Sequence, residues 1–367
     1  MDGGVRSILM TTDTVGGVWT YAIELSHALQ RRGVGVTLAA IGRTSSDQRR
    51  AAGDLPLVER DFKLEWMDDS WADVAASGEW LLELCEILQP DVVHLNGYAH
   101  GALPWPAPAI VVGHSSVLGW YDAVRTARAP AMFHRYREET SRGLRAADLV
   151  VAPSRMMLEA VARHYGRPRR ARVIPNGSAA PAQRSPRKEP FVLAAGRFWD
   201  EAKNLRALDE AAPGCSWPVY VAGDARHPDG GEACAANVRL LGPLSPGELA
   251  AWMAQAAIYA LPALYEPFGL SVLEAALSGC ALVLGDLESL RELWSGMAVF
   301  VDPRDPEALA AALRRLSQDA SERTRLGQLS RARALAMAPD LMAAQYLSAY
   351  RSLRAPRVRY DRAGAVA

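Results

Sequence analysis

Residues 264–279 of the chain read LYEPFGLSVLEAALSG, and this stretch decides the fold prediction. It follows a short apolar run at Ile258–Leu261 that predicts a buried strand. Pro267 stands where a helix can begin. Leu270 and the leucines three and seven residues later then form an apolar stripe at helical spacing. The stretch therefore predicts a strand, a loop and a helix that starts from the loop.

The loop before this helix has the composition of a diphosphate site. The first turn of a helix leaves backbone N–H groups without partners, so the amides around Phe268, Gly269 and Leu270 suit a phosphate group. Glu266 lies just before the helix and Glu274 about one turn inside it. Carboxylates repel phosphate, but each accepts hydrogen bonds from neighbouring hydroxyl groups. The two glutamates therefore predict contacts to sugars on either side of a diphosphate.

Cations that could neutralise a diphosphate follow another predicted strand. The apolar run Phe191–Ala195 leads into Gly196-Arg197, and Lys203 follows six residues after Arg197. Strand ends on this side of a parallel sheet open onto the binding crevice. A guanidinium fork and a lysine point charge suit a departing nucleotide diphosphate.

The whole chain alternates short apolar runs with helix-period segments, which is the pattern of parallel sheets with helical crossovers. It opens with a strand at Ser7–Thr11, a loop ending in Gly16-Gly17 and a helix that stops at Gly33. Helices are predicted at Trp80–Leu88, 131–146, from 306 and at 340–354. The other predicted strands are Val34–Ile41, Val92–Leu95, Ile110–Gly113, Asp148–Ala152, Val219–Ala222, Val238–Leu241, Ala281–Leu284 and Ala298–Val301.

The length of 367 residues fits two domains of about 150–200 residues each. We expect an α/β protein with two Rossmann-like domains that face a central cleft. The predicted N-terminal domain is 1–178 and the predicted C-terminal domain is 191–340. The proline-rich segment 179–190 is the expected linker. The segment 341–367 is expected to supply a helix that returns to the N-terminal domain, plus a loosely ordered tail from Ala355.

The composition excludes several classes of protein. Forty-one basic residues balance forty-one acidic ones, so the chain has no net positive charge that would attract nucleic acid. The basic run Arg167–Arg172 is either a solvated face or a surface that contacts a membrane or an acidic acceptor. The four cysteines lack metal-ligand spacing and predict free thiols. Neither a signal peptide nor a membrane-spanning run is evident, so a cytoplasmic protein is expected, with peripheral membrane contact left open.

Taken together, these motifs resemble family 4 of the retaining glycosyltransferases, which has the two-Rossmann glycosyltransferase-B (GT-B) fold. The resemblance rests on the Glu-x7-Glu pair at 266 and 274, the Gly-Arg…Lys-Asn motif at 196–204 and the Gly-Gly loop after the first strand. Pro175-Asn176-Gly177 before the linker and the Val301–Pro306 segment are also typical of the family. The similarity in element order runs over nearly the whole chain.

The resemblance implies a role for each matching residue. Glu266 would hold hydroxyls of the donor sugar, Glu274 would hold the ribose, and the amides after Glu266 would cradle the distal phosphate or the sugar. Arg197 and Lys203 would stabilise the leaving diphosphate.

The resemblance also implies that 1–178 is the acceptor-side domain and that 191–340 is the domain that binds the nucleotide-sugar donor. In the N-terminal domain, Gly16 and Gly17 would meet donor and acceptor, and His114 would border the transferred sugar. The implied co-substrate is a nucleotide-diphosphate sugar, without any further cofactor. The acceptor would be a carbohydrate, a lipid-linked molecule or a small molecule.

Two features depart from the family pattern. The arginine-to-lysine spacing, from Arg197 to Lys203, is one residue longer than the commonest form. Ser178 stands near the predicted hinge, where many relatives carry an acidic residue. His94 and Asn96, at another predicted strand end, either line the acceptor cleft or are structural. The aromatic residues near the N-terminal loops either stack on a sugar or pack: Trp19, Tyr98, Trp105, Trp120 and Tyr121.

Other functions fit the sequence less well. Asp68-Asp69 and Asp302…Asp305 lack the Asp-x-Asp spacing of metal-dependent glycosyltransferases, and Asp305-Pro306 predicts a helix N-cap, so no metal is expected. A dehydrogenase is disfavoured because the first turn lacks Gly-x-Gly-x-x-Gly. The remaining alternatives are a nucleotide-sugar 2-epimerase and a non-catalytic, glycosyltransferase-like binding subunit.

Overall fold

The computed structural model describes residues 4–181, 187–226 and 234–354. The predicted tail from Ala355 and part of the predicted linker, 182–186, lie outside these residues. Within the described ranges the strands are β1 Ser7–Asp13, β2 Gly35–Ile41, β3 Leu57–Arg60, β4 Val92–Leu95, β5 Ala109–Val112, β6 Leu149–Ala152, β7 Ala171–Val173, β8 Glu189–Ala195, β9 Val219–Ala222, β10 Arg239–Gly242, β11 Ala256–Leu261, β12 Ala281–Gly285 and β13 Ala298–Val301.

The helices lie between these strands and after the last one. A π-helical turn, Tyr121–Arg125, continues the fourth helix, and short 3-10 turns lie at Ala99–Ala102, Ala131–Phe133, Glu201–Lys203 and Ala212–Gly214. The α-helices are α1 Gly17–Gln30, α2 Ser46–Ala52, α3 Trp71–Leu88, α4 Val117–Trp120, α5 His134–Ala146, α6 Arg155–Tyr165, α7 Leu205–Ala211, α8 Pro246–Gln255, α9 Leu270–Leu277, α10 Glu288–Trp294, α11 Pro306–Gln318, α12 Ala320–Leu335 and α13 Pro339–Arg354.

The strands form two parallel sheets, one in each half of the chain. The N-terminal sheet has the order β3-β2-β1-β4-β5-β6-β7, and the C-terminal sheet has the order β10-β9-β8-β11-β12-β13. In each sheet the strand order reverses once, between β1 and β4 and between β8 and β11. In open α/β sheets, ligands bind outside the carboxyl ends of the strands at such a reversal. The topology therefore directs attention to four loops.

Burial on both faces explains why the strands are continuous apolar runs. Every residue of Leu149–Ala152 and of Ala256–Leu261 is buried. Helices cover both faces of each sheet, and the apolar side chains form a separate core on each face. This arrangement confirms the predicted fold class of two Rossmann-like α/β domains.

The last helix packs on the N-terminal sheet, although it follows the C-terminal one in sequence. Met342, Tyr346 and Tyr350 of α13 are buried in the same core as α1. The crossing is tight beside the predicted hinge: the Ser178 N–H donates to the Met337 carbonyl at 3.1 Å. A Cβ on Gly177 would lie 2.9 Å from the Ala338 backbone, so the glycine of the Pro-Asn-Gly motif allows the two segments to meet.

Several boundaries differ from the predicted ones. The helix predicted from Trp80 begins at Trp71, because an amphipathic pattern does not mark its own start. The helix predicted to begin near Pro267 begins at Leu270, because Gly269 takes a left-handed φ of 85° just before it. The predicted N-cap at Asp305 is confirmed, because its side chain accepts from the Ala308 N–H. Ser245 and Glu248 form a capping box at the start of α8.

Candidate active site

The predicted site residues lie on loops at the two points where the strand order reverses. Gly16 follows β1 and Asn96 follows β4 in the N-terminal sheet. Arg197 follows β8 and Glu266 follows β11 in the C-terminal sheet. His114 follows β5, the next strand outward. The fold thus carries residues far apart in sequence to facing edges of two sheets.

The Gly-Gly loop contacts the C-terminal domain directly. A Cβ on Gly16 would lie 3.0 Å from Nη1 of Arg197, and one on Gly17 would lie 3.3 Å from Cδ1 of Leu270. The Arg197 guanidinium also lies over the Trp199 ring, 5.2 Å from its centroid. The two glycines therefore allow close approach of the first helix to the arginine loop and to the start of α9.

Lys203 and Glu266 form an ion pair at the centre of the C-terminal part of the site. Nζ of Lys203 lies 2.6 Å from Oε2 of Glu266, with side chains only 16% and 11% exposed. Asn204, which has a left-handed φ of 58°, donates from Nδ2 to the Pro262 and Pro303 carbonyls. These bonds hold the turn that carries Lys203 against the loop that carries Glu266.

The loop from Glu266 to Leu270 is anchored at its first two residues. The Ser289 hydroxyl donates to the Glu266 carbonyl at 2.5 Å, and the Ser154 hydroxyl donates to the Pro267 carbonyl at 2.8 Å. Phe268 is buried in the core beneath the loop. The amides of Phe268, Gly269 and Leu270 are therefore presented by a fixed backbone at the start of a helix, which suits an anion.

Glu274 is half-buried on α9, and burial raises the pKa of its carboxyl to about 7, with Glu24 of α1 adding to the rise. Burial also raises the pKa of Glu24, which accepts from the Ala179 N–H at 3.5 Å. The two carboxylates, one on each domain, are therefore close enough for their charges to interact. Sequence reasoning did not identify Glu24, because a single acidic residue in a helix carries no signal of what it faces.

His114 and Asn96 form a connected pair on the N-terminal domain. The Nδ2 of Asn96 donates to the Thr11 carbonyl at 2.6 Å, so its Oδ1 accepts from His114 Nε2 at 2.8 Å. Burial lowers the pKa of His114 to about 3, so the ring is neutral and carries its proton on Nε2. Its Nδ1 remains an acceptor.

His94 does not line the cleft, which decides one of the alternatives left open by the sequence. The ring is fully buried between the Tyr350 hydroxyl at 2.7 Å and the Tyr21 hydroxyl at 3.2 Å. Burial, helped by His114, lowers the pKa of His94 to about 3. His94 therefore joins α13 to α1, and Tyr21 in turn meets the His114 ring edge-on at 4.5 Å between centroids.

Asp13 is a residue of the candidate site that the sequence did not single out. It ends β1, accepts from the Val15 N–H at 2.8 Å and lies near Arg197. Burial raises the pKa of its carboxyl to about 6, while the Val15 amide and Arg197 oppose the rise. Its position at a strand end, three residues before Gly16, is the signal that could have identified it.

The described residues contain no group of three or more His, Cys, Asp or Glu side chains placed to hold a metal ion. Over the same ranges, none of the helices is both long and apolar enough to cross a bilayer. Among the described residues, Cys85, Cys215 and Cys280 are free thiols, as the sequence predicts.

Two facing Rossmann-like domains, with cations and paired carboxylates at their strand ends, define the class of GT-B glycosyltransferases, which transfer a sugar from a nucleotide-sugar donor. Residues 15–178 match the family described as Glycosyltransferase Family 4, and residues 189–319 match Glycosyl transferases group 1. The chain belongs to this family 4, group 1 family of glycosyltransferases.

Relatives cover most of the chain. It is 28% identical to a D-inositol 3-phosphate glycosyltransferase of Nocardioides sp., over 94% of this chain and 87% of the relative. It is 29% identical to a glycogen synthase of Mycobacterium tuberculosis, over 74% and 72%. The chain spans most of the length of both relatives.

Solved structures share the fold at lower identity. A sucrose-phosphate synthase from Thermosynechococcus elongatus superposes with a TM-score of 0.77 at 20% identity, over 95% of this chain and 99% of the other. Anabaena Alr3699/HepE in complex with UDP-glucose superposes with a TM-score of 0.74 at 17% identity, over 94% and 99%. These structures support the GT-B fold.

Proposed function

We propose that the protein is a retaining, metal-independent hexosyltransferase that uses a nucleoside diphosphate sugar. The observation that carries this proposal is the convergence of Arg197, Lys203 and Glu266 opposite the Gly16-Gly17 loop. A leaving diphosphate gains negative charge as its bond to the sugar breaks, and preorganised cations stabilise that charge most where water is excluded. Arg197 and Lys203 are those cations.

The reaction we propose is an attack on the same face of the sugar. The acceptor oxygen bonds to the anomeric carbon as the bond from that carbon to the diphosphate oxygen breaks. The acceptor's proton passes to an oxygen of the leaving phosphate, so no protein base is required. One oxygen of Glu266 is paired with Lys203, which leaves the other to accept from hydroxyls of the transferred sugar.

The remaining donor contacts follow from the start of α9. The amides of Phe268, Gly269 and Leu270 bind the distal phosphate or the sugar, and Glu274 accepts from the ribose hydroxyls. UDP-glucose is the first donor to test, because the similar Anabaena Alr3699/HepE structure is a complex with it.

The acceptor binds from the side of the N-terminal domain. Gly16 and Gly17 leave room for it beside the reacting carbon, and Asn96 holds His114. The Nδ1 of neutral His114 accepts a hydrogen bond from a hydroxyl of the transferred sugar or of the acceptor. We propose a carbohydrate, a lipid-linked molecule or a small molecule as the acceptor, and a cytoplasmic enzyme with peripheral membrane contact left open.

Donor binding is tested first by thermal shift against nucleoside diphosphates and their sugars, with the wild type and Glu274→Ala. A ligand that binds the folded state raises the Tm by mass action. We expect one nucleotide to raise the wild-type Tm and to have little effect on the variant. A flat response to every nucleotide at millimolar concentration would contradict the donor site.

Catalysis is tested by the release of free nucleoside diphosphate when acceptor is added. Release that depends on acceptor and persists in EDTA supports metal-independent transfer. An NMR spectrum of the product shows whether the anomeric configuration is retained. Nucleotide binding without turnover, across a panel of acceptors, would favour a non-catalytic subunit instead.

A further inference from the structure

A segment of the N-terminal domain, Ser116–Arg125, lies across two loops of the C-terminal domain. We call it the clasp segment; it comprises α4, the π-helical turn and the residue before them. The loops it contacts are 199–203 and 264–266, which carry Lys203 and Glu266. The clasp segment begins two residues after His114.

Three polar contacts join the clasp segment to these loops. The indole Nε1 of Trp120 donates to Oδ1 of Asp200 at 2.9 Å. The backbone N–H of Ser116 donates to the Tyr265 hydroxyl at 2.9 Å. Arg125 donates to Glu201 at 2.6 Å, between exposed side chains, and exposed pairs of this kind contribute little. The first two contacts are therefore the informative ones.

A small apolar cluster fills the space between these contacts. Val124, Ala202 and Tyr265 are buried in it, and Trp120 and Leu264 pack against it. This cluster is separate from the cores of both domains and draws its members from each of them. Its burial therefore depends on the two domains being together.

The clasp segment reaches the ion pair through a chain of short links. The Oδ1 of Asp200 accepts both the Trp120 indole and the Ala202 N–H, which caps the turn Glu201–Lys203. The Leu264 N–H donates to the Ala202 carbonyl at 2.8 Å, which ties this turn to the Glu266 loop. Tyr265 directly precedes Glu266. One N-terminal segment thus contacts both loops that set the position of Lys203 and Glu266.

We propose that Trp120 is a positioning residue that couples closure of the two domains to the placement of Lys203 and Glu266. This proposal rests on the proposed function for the role of that ion pair. The indole fixes Asp200, Asp200 caps the turn, and the turn holds Lys203 against Glu266. Donor binding involves the C-terminal domain, so Trp120 acts on the assembled catalytic state more than on nucleotide affinity.

The test uses Trp120→Phe, which keeps an aromatic ring for the apolar cluster but removes the N–H donor. Trp66→Phe is the matched control, because Trp66 is an exposed tryptophan of the same domain, outside the site. We expect Trp120→Phe to lower kcat about tenfold, the size expected when a hydrogen bond to a charged group is lost from the reactive state. Its affinity for the nucleoside diphosphate should stay within about twofold of wild type, and Trp66→Phe should match wild type in both.

A double-mutant cycle with Asp200→Ala, read by thermal unfolding without ligand, tests the contact independently of activity. The Tm loss in the double variant should be smaller than the sum of the two single losses. Additive losses, or an unchanged kcat in Trp120→Phe, would overturn the proposal. A wild-type chain that binds no nucleotide and transfers no sugar would overturn the proposed function instead, and the unfolding cycle would then decide the clasp contact alone.

Discussion

Gly16 and Arg197 touch across the cleft: a Cβ on Gly16 would lie 3.0 Å from Nη1 and 3.2 Å from Cζ of the guanidinium. The backbone at Gly16 has a φ of 88°, which side-chain-bearing residues rarely adopt. The first helix of one domain and the proposed leaving-group cation of the other therefore meet at a position where only hydrogen fits. The contact makes this glycine a direct probe of how the site is assembled.

Gly16→Ala should lower kcat by at least about 100-fold, because the methyl group displaces Arg197 from the reacting diphosphate. The substitution also costs about 1–3 kcal/mol in backbone strain, because Gly16 has a φ of 88° and a ψ of −142°, close to a region that essentially only glycine occupies. Gly33→Ala separates the two effects, since Gly33 has a φ of 77° and nothing within 4 Å of the added methyl. We expect Gly33→Ala to lose similar stability, by chemical denaturation, and to keep its kcat. Equal activity losses in both variants would show that strain alone is responsible.

Glu266→Gln should reduce kcat about 100-fold or more, because Lys203 loses its charged partner and the sugar loses an ionic acceptor. A buried pair that loses one charge also costs stability, about 3–5 kcal/mol. Glu322→Gln is the control: Glu322 pairs with Arg325 at 2.8 Å on the surface, where such pairs contribute little. Steady-state kinetics and Tm measure both. A Glu266→Gln enzyme with wild-type kcat would contradict the role of the pair.

Glu274→Gln should weaken donor binding and stabilise the folded protein at high pH. Because burial raises the folded-state pKa to about 7, above the ordinary value of 4.5, the folded carboxyl binds its proton more tightly than the unfolded one. The stability this contributes is complete below pH 4.5 and is lost as pH rises through 7. Replacement by glutamine should therefore raise the Tm relative to wild type at about pH 8 but not at about pH 5.

The same titration predicts the pH dependence of donor binding. Wild type should bind the nucleoside diphosphate more tightly at about pH 8 than at about pH 6, because only the ionised carboxylate is a full acceptor for both ribose hydroxyls. Glu274→Gln should bind more weakly and keep only the pH dependence of the nucleotide's own phosphate. Isothermal titration calorimetry of the two proteins at both pH values decides this, and parallel pH profiles would argue against Glu274 as the ribose ligand.

Tyr350→Phe should destabilise the protein by about 1–3 kcal/mol, because it leaves Nδ1 of the fully buried His94 without a partner. Tyr220→Phe removes a hydroxyl that accepts from Arg239 at an exposed position, and should cost much less. The free energy of unfolding in urea provides the comparison. Equal losses in the two variants would show that the bond between α13 and the N-terminal sheet adds nothing.

The fold and much of the candidate site could be predicted because their signals are local. Burial on both faces makes each strand a short apolar run, and Glu266, Glu274 and Arg197 follow such runs at recognisable spacings. The departure at the start of α9 has a local cause too, since Pro267 permits a helix but the left-handed Gly269 delays it to Leu270. Side-chain roles that depend on the end of one strand or the start of one helix can therefore be predicted from the sequence.

What a residue faces across the cleft could not be predicted. His94, a candidate cleft residue by position, is fully buried under Tyr350, which lies 256 residues further along the chain. Trp120 was one of several aromatic residues in the N-terminal loops, and only its bond to Asp200, 80 residues away, distinguishes it. The interaction of Glu24 with Glu274, on the other domain, likewise could not be seen in the sequence.

The sequence by itself therefore determined the class of fold, the family and the chemical groups of the donor site, because hydrophobic periodicity and motif spacing act over one strand and one helix. The tertiary structure alone decided which of those groups meet: Gly16 with Arg197, Lys203 with Glu266, Trp120 with Asp200. These pairings depend on the strand order of two sheets and on how their edges face each other. Both are set by packing summed over whole domains, which no local pattern encodes.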